Sequence, residues 1–554
     1  MNIVTLSFKL LEPRRRAFEM ATLDPLKAQE RVLFEYIRRN KDTEYGRRFG
    51  FCRIRSIKDY LSSVPMVDYE DIRPLVDRMA SGENNILTKD KPIFFGVTSG
   101  TTDKPKLIPT TKYSEAKKDD LMNLWSYYIA RDHPDVANGK ILAIVSPIRE
   151  GVTPSGILFG AESGYSYKAL PGPVKKLYAI PYEVFEIESY EARHYTILRL
   201  AIQADITDIA TLNPNAITIL CRKIDKWKNL IIEDIEKGTV CGDFDIPWRI
   251  RRIIEKGLKA DKRRADKLRN IRKEHGMLMP RYIWPNLKLI ECWKGGVMGI
   301  YLKELESYFG KVPTRDMGCV STEARSSIPI NDTDAGGVLA IQTNFYEFIP
   351  REDENSARKR VLLCNELEKD KEYFLVVTTA GGLYRYNIDD IIKVYDFYNK
   401  TPMIEFVQKG KGASSLAGEK LYESHVNAAL SNVVKMENIS LKFFCAVAHP
   451  EEGPRYAFLV EFANTDLSEE DKKRFLVSME SELRRQDREY DYVRNAQLLK
   501  SPVLKVLRDG ALEDYRRRRI SEGGQEAQLK APHLAANTAF EHNFSVEKII
   551  PFPD

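Results

Sequence analysis

Hydrophobic positions fall at helical spacing near the start of the chain. Leu26, Val32, Leu33 and Ile37 predict a helix within residues 24–49, and Asp24-Pro25 offers a start with proline in the first turn. Residues 56–80 read as two further short helices. The pattern then changes: Ile93–Val97 is a short apolar strand that runs into the polar, small-residue loop Thr98–Lys106, and a long helix is expected from Ser114 to Arg131. Leu142–Val145, Ile217–Leu220 and Leu287–Ile290 are apolar runs of strand length, and their alternation with helical stretches predicts an α/β architecture. Residues 249–273 are thick with Arg and Lys. Ile253, Ile254, Leu258 and Ala265 supply an apolar stripe there and acids are interleaved, which predicts a solvated amphipathic helix; the run Arg516–Arg519 reads the same way.

A second shift comes near residue 405. Glu405-Phe406-Val407 reads as a strand, and the Gly-, Ser- and Lys-rich stretch Gln408–Ser415 suits a hinge. Strand, helix and strand signals follow over Lys442–Val447, Tyr456–Phe462 and Glu469–Arg485, predicting a small α+β domain. The expected organisation is a large N-terminal domain over 1–407, a hinge over 408–420 and a small mobile C-terminal domain over 421–554.

Composition narrows the function classes. The 554 residues correspond to three or four units at roughly 150 residues each, or to one large domain with an appendage. Lys and Arg number 86 and Asp and Glu 80, so the net charge is +6, nearly neutral at this length and unlike a dedicated nucleic-acid binder. Seven scattered cysteines form no C-x-x-C pair, which suggests neither a zinc ribbon nor a disulfide framework. No apolar run approaches the ~18 residues of a membrane span. The first residues, Met1–Phe8, lack the basic region and cleavage site of a signal peptide. A cytoplasmic protein with neither a nucleic-acid nor a membrane partner is expected.

Five stretches could carry chemistry. The loop Thr98–Lys106 has hydroxyls and a glycine directly after a strand, then two lysines. These are the donors and small side chains that phosphate oxygens need, although a polar surface turn has the same composition; it is not a Walker A sequence. Asp316–Ala324 sets Glu323 beside Ser321 and Thr322, a hard-oxygen set suited to magnesium or, equally, a helix cap. Gly381–Asp390 ends in two acids that could accept from a ribose diol or simply join two strands. Lys420 follows the hinge glycine Gly418, and Lys530 lies near the C-terminus.

In this order the five stretches resemble the adenylate-forming superfamily of acyl-CoA synthetases, peptide-synthetase adenylation domains and luciferases. Within it the chain looks most like the Gretchen Hagen acyl acid–amido synthetases, the plant auxin-responsive enzymes and their bacterial relatives, and is read as a bacterial-type member. Arg38–Gly46, Val64–Asp71, Phe95–Pro109, Trp293–Gly296 and Phe345–Pro350 carry the resemblance, which spans residues 28 to 535. It implies a large luciferase-like α/β domain with a smaller mobile one. It also implies ATP and Mg2+, a small carboxylic acid as substrate, and an amine or amino acid as acceptor.

By position, the resemblance implies that Thr98, Ser99, Thr101 and Thr102 wrap the nucleotide phosphates with Lys106 nearby. Thr322 and Glu323 contact the α-phosphate region, with Glu323 as the magnesium ligand. Phe345 stands where such enzymes have a tyrosine near the nucleotide, and Asp390 takes the ribose hydroxyls. Lys420 and Lys530 are the hinge and mobile-domain lysines. Three departures stand out. Cys319 replaces an aromatic residue, Asp389 stands where a glycine is usual before Asp390, and Leu124, Trp125, Ser126 and Tyr127 include no arginine for an acyl carboxylate, which implies a different acid from the plant hormones. The other outcomes are transfer to a thiol such as coenzyme A and a non-catalytic nucleotide-binding relative. None of the seven histidines shows a pairing pattern, and none is assigned a role.

Overall fold

The computed structural model describes all residues except 1, 2, 99–105, 296–298, 354, 355, 357, 358, 411, 412, 415, 417, 418, 420, 451, 452, 465, 496–498, 522–530, 537 and 554. The chain divides into two units, Met1–Phe406 and Val407–Asp554.

In the larger unit the helix Pro25–Arg39 begins as the sequence predicts, with the Asp24 carboxylate accepting from the Lys27 N–H at 3.2 Å. Its buried side carries Ala28, Val32, Leu33, Tyr36 and Ile37. Gln29 fixes the docking: its amide donates to the Ile341 and Asn344 carbonyls at 2.8 and 2.6 Å and accepts from the Tyr346 N–H at 2.8 Å. A buried side-chain amide used at both ends specifies one position of the helix against the strand Asn344–Pro350. The helices Ile57–Ser63 and Tyr69–Ala80 are the two expected over 56–80, each opened by a capping box, Ser56 with Asp59 and Asp68 with Asp71.

Three sheets follow. The hairpin Pro92–Thr98 and Lys106–Thr111 heads a four-stranded sheet. A parallel sheet runs Lys140–Ala143, Ile206–Ala210, Leu289–Glu291 and Thr314–Arg315 in that order, with helices between the strands. A six-stranded sheet includes the strands Asn344–Pro350, Glu372–Thr379 and Tyr386–Tyr398 as antiparallel neighbours. This is the expected large α/β domain.

Three sequence expectations change. Ile217–Leu220 is not a strand: it lies within the helix Pro214–Lys237, where Ile217, Leu220, Cys221, Ile224 and Ile231 are buried at helical steps. A fully buried apolar run carries no period-2 signal to separate the two states. The basic stretch is two helices, Trp248–Gly257 and Lys262–His275, and Ile253 is 45% exposed while Ile254 and Ala265 are buried. Lys106, read as the end of the polar loop, opens the strand Lys106–Thr111.

In the smaller unit, Leu441–His449 and Arg455–Phe462 are antiparallel central strands of a five-stranded sheet, and Glu469–Gln486 is a helix beside Glu423–Met436. An α+β unit is what the sequence predicts, with the last two signals exchanged between strand and helix. Among the described residues no helix is long and apolar enough to cross a membrane.

Candidate active site

The hairpin sets the first side of the site. Thr98 and Lys106 pair across its open end, so 99–105 join the strands there; Ser99, Thr101 and Thr102 lie outside the described residues, as does the Thr98 side chain. The Lys106 ammonium stands 5.7 Å from the centre of the Tyr69 ring. The Tyr69 hydroxyl in turn accepts from the Leu107 N–H at 2.6 Å, tying the hairpin to the helix Tyr69–Ala80.

Against this strand rests a tight turn. The Ser321 N–H donates to the Ala324 carbonyl at 2.9 Å, and the Ala324 N–H to Ser321 Oγ at 3.2 Å, which leaves Thr322 and Glu323 at the tip. The Thr322 hydroxyl donates to the Val97 carbonyl at 3.3 Å. A Cβ on Gly96 would lie only 2.5 Å from Thr322 Cγ2, so glycine at 96 is what allows the approach. Glu323 is 8% exposed, and among the described residues its carboxylate has no hydrogen bond or ion pair. Burial without a partner is costly for a carboxylate. Among the described residues no group of three His, Cys, Asp or Glu side chains could hold a metal by itself.

Behind the turn, two stretches singled out in the sequence meet. The Asp316 carboxylate accepts from the Lys294 N–H at 2.7 Å and from the Gly318 N–H at 2.5 Å, while the Trp293 indole donates to the Gly318 carbonyl at 3.1 Å. Burial pushes the Asp316 carboxyl up to about 6. Cys319 is buried, and its N–H donates to Ser327 Oγ at 2.9 Å.

Asp390 is aimed by a bulge. Phe374 pairs with Ile391 and Val376 with Asn387, so three residues on one strand oppose the single residue Leu375 on the other. Asp389 adopts the left-handed conformation, φ 64°, and its N–H donates to the Asn387 side-chain carbonyl at 3.0 Å. Asp thus fills the position where glycine is usual, helped by a local side-chain bond. Burial holds the Tyr386 phenol protonated, and after it the negative charges of Glu323, Asp68 and Asp390. The charges of Glu323, in its turn, and of Asp390, on the bulged strand, thus both act on the Tyr386 phenol. Phe345, by contrast, is a core residue, 1% exposed and edge-on to Tyr60 with ring centres 6.0 Å apart.

Lys420 and Lys530 lie outside the described residues, but their neighbours are fixed within the smaller unit. Glu419 is fully buried and accepts from the Tyr456 hydroxyl at 2.7 Å and the Leu416 N–H at 2.8 Å. Just after Lys530, His533 bonds Asn427 at 2.8 Å, and Leu534–Ala535 pairs with the strand Leu441–His449. Burial lowers the His533 imidazole to about 4, so it is a neutral structural group. The features that sequence reasoning missed are Gly96, the bulge and Arg325, whose guanidinium lies 5.7 Å from the centre of the Trp125 ring.

A large mixed α/β domain followed by a smaller α+β domain is the architecture of the GH3.15 acyl acid amido synthetase, which superposes with a TM-score of 0.86 over 98% of this chain and 97% of that one at 22% identity. Family models match along the chain: the GH3 family N-terminal domain over 14–314, the central domain over 337–409 and the C-terminal domain over 423–539. The chain belongs to the GH3 family. Relatives include an indole-3-acetic acid-amido synthetase of Arabidopsis thaliana, 25% identical over 92% of this chain and 89% of the relative. A jasmonoyl–L-amino acid synthetase of Nicotiana attenuata is 24% identical over 96% and 94%. The expectation of a bacterial-type member is corrected here: these matches, with others from Oryza sativa, are plant enzymes, and the chain aligns as a plant-type member.

Proposed function

We infer that the protein is an ATP-dependent acyl acid–amido synthetase that joins a small carboxylic acid to an amino acid. The observation that carries this is the seating of Thr322 on Gly96, which brings the Thr322-Glu323 tip against the strand that leads into the hydroxyl-rich loop. A free carboxylate does not react with an amine at neutral pH, because its leaving group is too poor. Its oxygen therefore attacks the α-phosphorus of ATP, pyrophosphate leaves, and an acyl-adenylate forms. The amine then attacks the acyl carbon and AMP leaves. Both steps build negative charge on oxygen, which prepositioned donors stabilise.

In this reading Thr98, Ser99, Thr101, Thr102 and Lys106 bind the phosphates, Thr322 orients the α-phosphate, and Asp390 holds the ribose. Glu323 supplies the single carboxylate that magnesium needs when substrate phosphates give its other ligands; the ion would neutralise charge on the phosphates. Phe345 supports the floor from the core. Lys420 and Lys530 serve the two steps in turn as the smaller unit rotates about 408–420. Action in the cytoplasm accords with seven free cysteines.

The test is pyrophosphate release over panels of acids and amino acids, with products read by mass spectrometry. An amide and AMP are expected. A coenzyme A thioester, or no ATP-dependent turnover with any pair, overturns the reading.

A further inference from the structure

The larger unit treats its buried guanidiniums unequally. Arg385 is fully engaged: it pairs with Glu347 at 2.8 Å and donates to the Leu61 and Val64 carbonyls at 2.6 and 2.7 Å. Arg315 meets Asp132 at 2.7 Å and Asp332 at 2.6 Å, although its Nη1 is likewise sealed without an acceptor. Arg325 has no such ion-pair partner among the described residues. Among the described residues no carboxylate lies within ion-pair distance of it, and its Nη1 is sealed from water without an acceptor. It stacks over the Trp125 ring, and the Trp125 indole N–H, on a side chain only 6% exposed, is likewise sealed and without an acceptor. Two unmet donors in one place are an expensive arrangement for a folded chain unless a ligand completes them. Burial lowers the Arg325 guanidinium to about 10, with Glu291 and Glu162 acting against that, so it stays charged at neutral pH.

The position says what would bind. Arg325 follows the turn that carries Thr322 and Glu323, and is paired back across its base with Val320. Trp125 faces inward from the helix Lys112–Asp132 in one apolar cluster with Leu121, Leu124, Met317 and Cys319. A planar fork of donors beside an apolar wall suits a carboxylate on an apolar body.

We propose that Arg325 and the Trp125 indole form the subsite that takes the carboxylate of the acyl acid. This rests on the synthetase reading and names the residues that select its first substrate. Delivered there, the acid lies next to the turn proposed to orient the α-phosphate.

The test uses the full chain with Arg325→Met, Arg325→Lys and Trp125→Phe. Pyrophosphate release by Arg325→Met should show an apparent KM for the acid raised about tenfold or more, with the KM for ATP within about twofold of wild type; Arg325→Lys should recover part of the loss. Trp125→Phe should raise the acid KM less. An unchanged acid KM in Arg325→Met, or a rise confined to the amino acid, overturns the assignment while leaving the synthetase reading intact. A turnover-independent arm follows tryptophan fluorescence as the same acids are added. A signal in wild type that Arg325→Met and Trp125→Phe both lack supports the subsite even if no acid yields pyrophosphate, the outcome that sinks the synthetase reading. A fluorescence titration identical in wild type and Arg325→Met overturns the subsite.

Discussion

Thr322 is seated on Gly96, with 2.5 Å between its Cγ2 and the place where a Cβ at 96 would be. The contact joins two segments more than 200 residues apart, and the Thr322 hydroxyl is held at the same time by the Val97 carbonyl. The threonine cannot rotate away without giving up that bond. Gly96→Ala should therefore displace the turn, at an overpacking cost of about 1–3 kcal/mol, and cut pyrophosphate release about tenfold or more. Activity and thermal melting measured on the same preparation check this. Wild-type turnover in Gly96→Ala would show that the turn's position does not matter.

Arg385 and Glu347 form an ion pair in which both side chains are under a tenth exposed. Arg385 also adopts a left-handed conformation, φ 48°, and leads directly into the bulge that aims Asp390. Arg385→Met leaves the Glu347 carboxylate buried without compensation, an expected loss of about 3–5 kcal/mol. Glu347→Gln keeps the acceptor for the guanidinium and should cost less. Urea unfolding curves for the two variants give the order directly, and the reverse order would contradict it.

Local signals in the sequence reached as far as local physics does. Asp24-Pro25 and the spacing of Val32, Leu33 and Ile37 announce a helix because capping and periodicity act within a few residues. The strand Lys106–Thr111 has no signal of its own in the local pattern; it is paired across the hairpin, with Pro109 opposite Phe95. Ile217–Leu220 reads as a strand in isolation, whereas its burial comes from a long helix extending well past the run. At the candidate site, the residue types of Thr322, Glu323 and Asp390 were visible as motifs. Their setting was not: Gly96 meets Thr322, and Trp125 meets Arg325, only through sheet and helix packing. The bulge at Asp389 depends on where its partner strand lies in register, which no local pattern encodes.

Asp390 ends the bulge beside Tyr386, and the proposed role is to accept from the ribose hydroxyls. That contact forms equally in the ground and transition states. Asp390→Ala should raise the KM for ATP about tenfold and change kcat far less. Steady-state kinetics with ATP varied at saturating acid and amino acid measure the split. An unaltered KM for ATP removes Asp390 from the nucleotide site.

Glu323 is buried at the tip of its turn, and among the described residues its carboxylate has no hydrogen bond or ion pair. If it ligates magnesium, Glu323→Gln loses the charge while keeping the shape. Adenylation should fall about a hundredfold or more, and the magnesium concentration for half-maximal rate should rise. Titration of magnesium at fixed ATP decides between a ligand and a packing group: a lower rate with an unchanged magnesium midpoint means packing.

Asp208 and Glu291 stand on adjacent parallel strands with Asp208 opposite Leu289, and both are buried, 2% and 4% exposed. Burial pushes Asp208 from 3.8 up to about 7. Burial, and then the charge of Asp208, pushes Glu291 well above its usual value, with Arg315 and Arg325 pulling it back. In the folded protein the pair therefore keeps protons that the unfolded chain has released above pH 4 to 5. Because the folded state then binds more protons, this pair's contribution to stability declines as pH rises from about 4 through about 7, at no more than about 1.4 kcal/mol per pH unit for each proton retained. Asp208→Asn removes one carboxyl and frees Glu291 to ionise beside the two arginines. Whatever its stability at pH 4, the variant should gain on wild type as pH rises, so the difference between their melting temperatures should drift in its favour from pH 4 to 7.5. Melting curves at half-unit steps measure that drift. Parallel curves would mean that the two carboxyls are not protonated together in the fold.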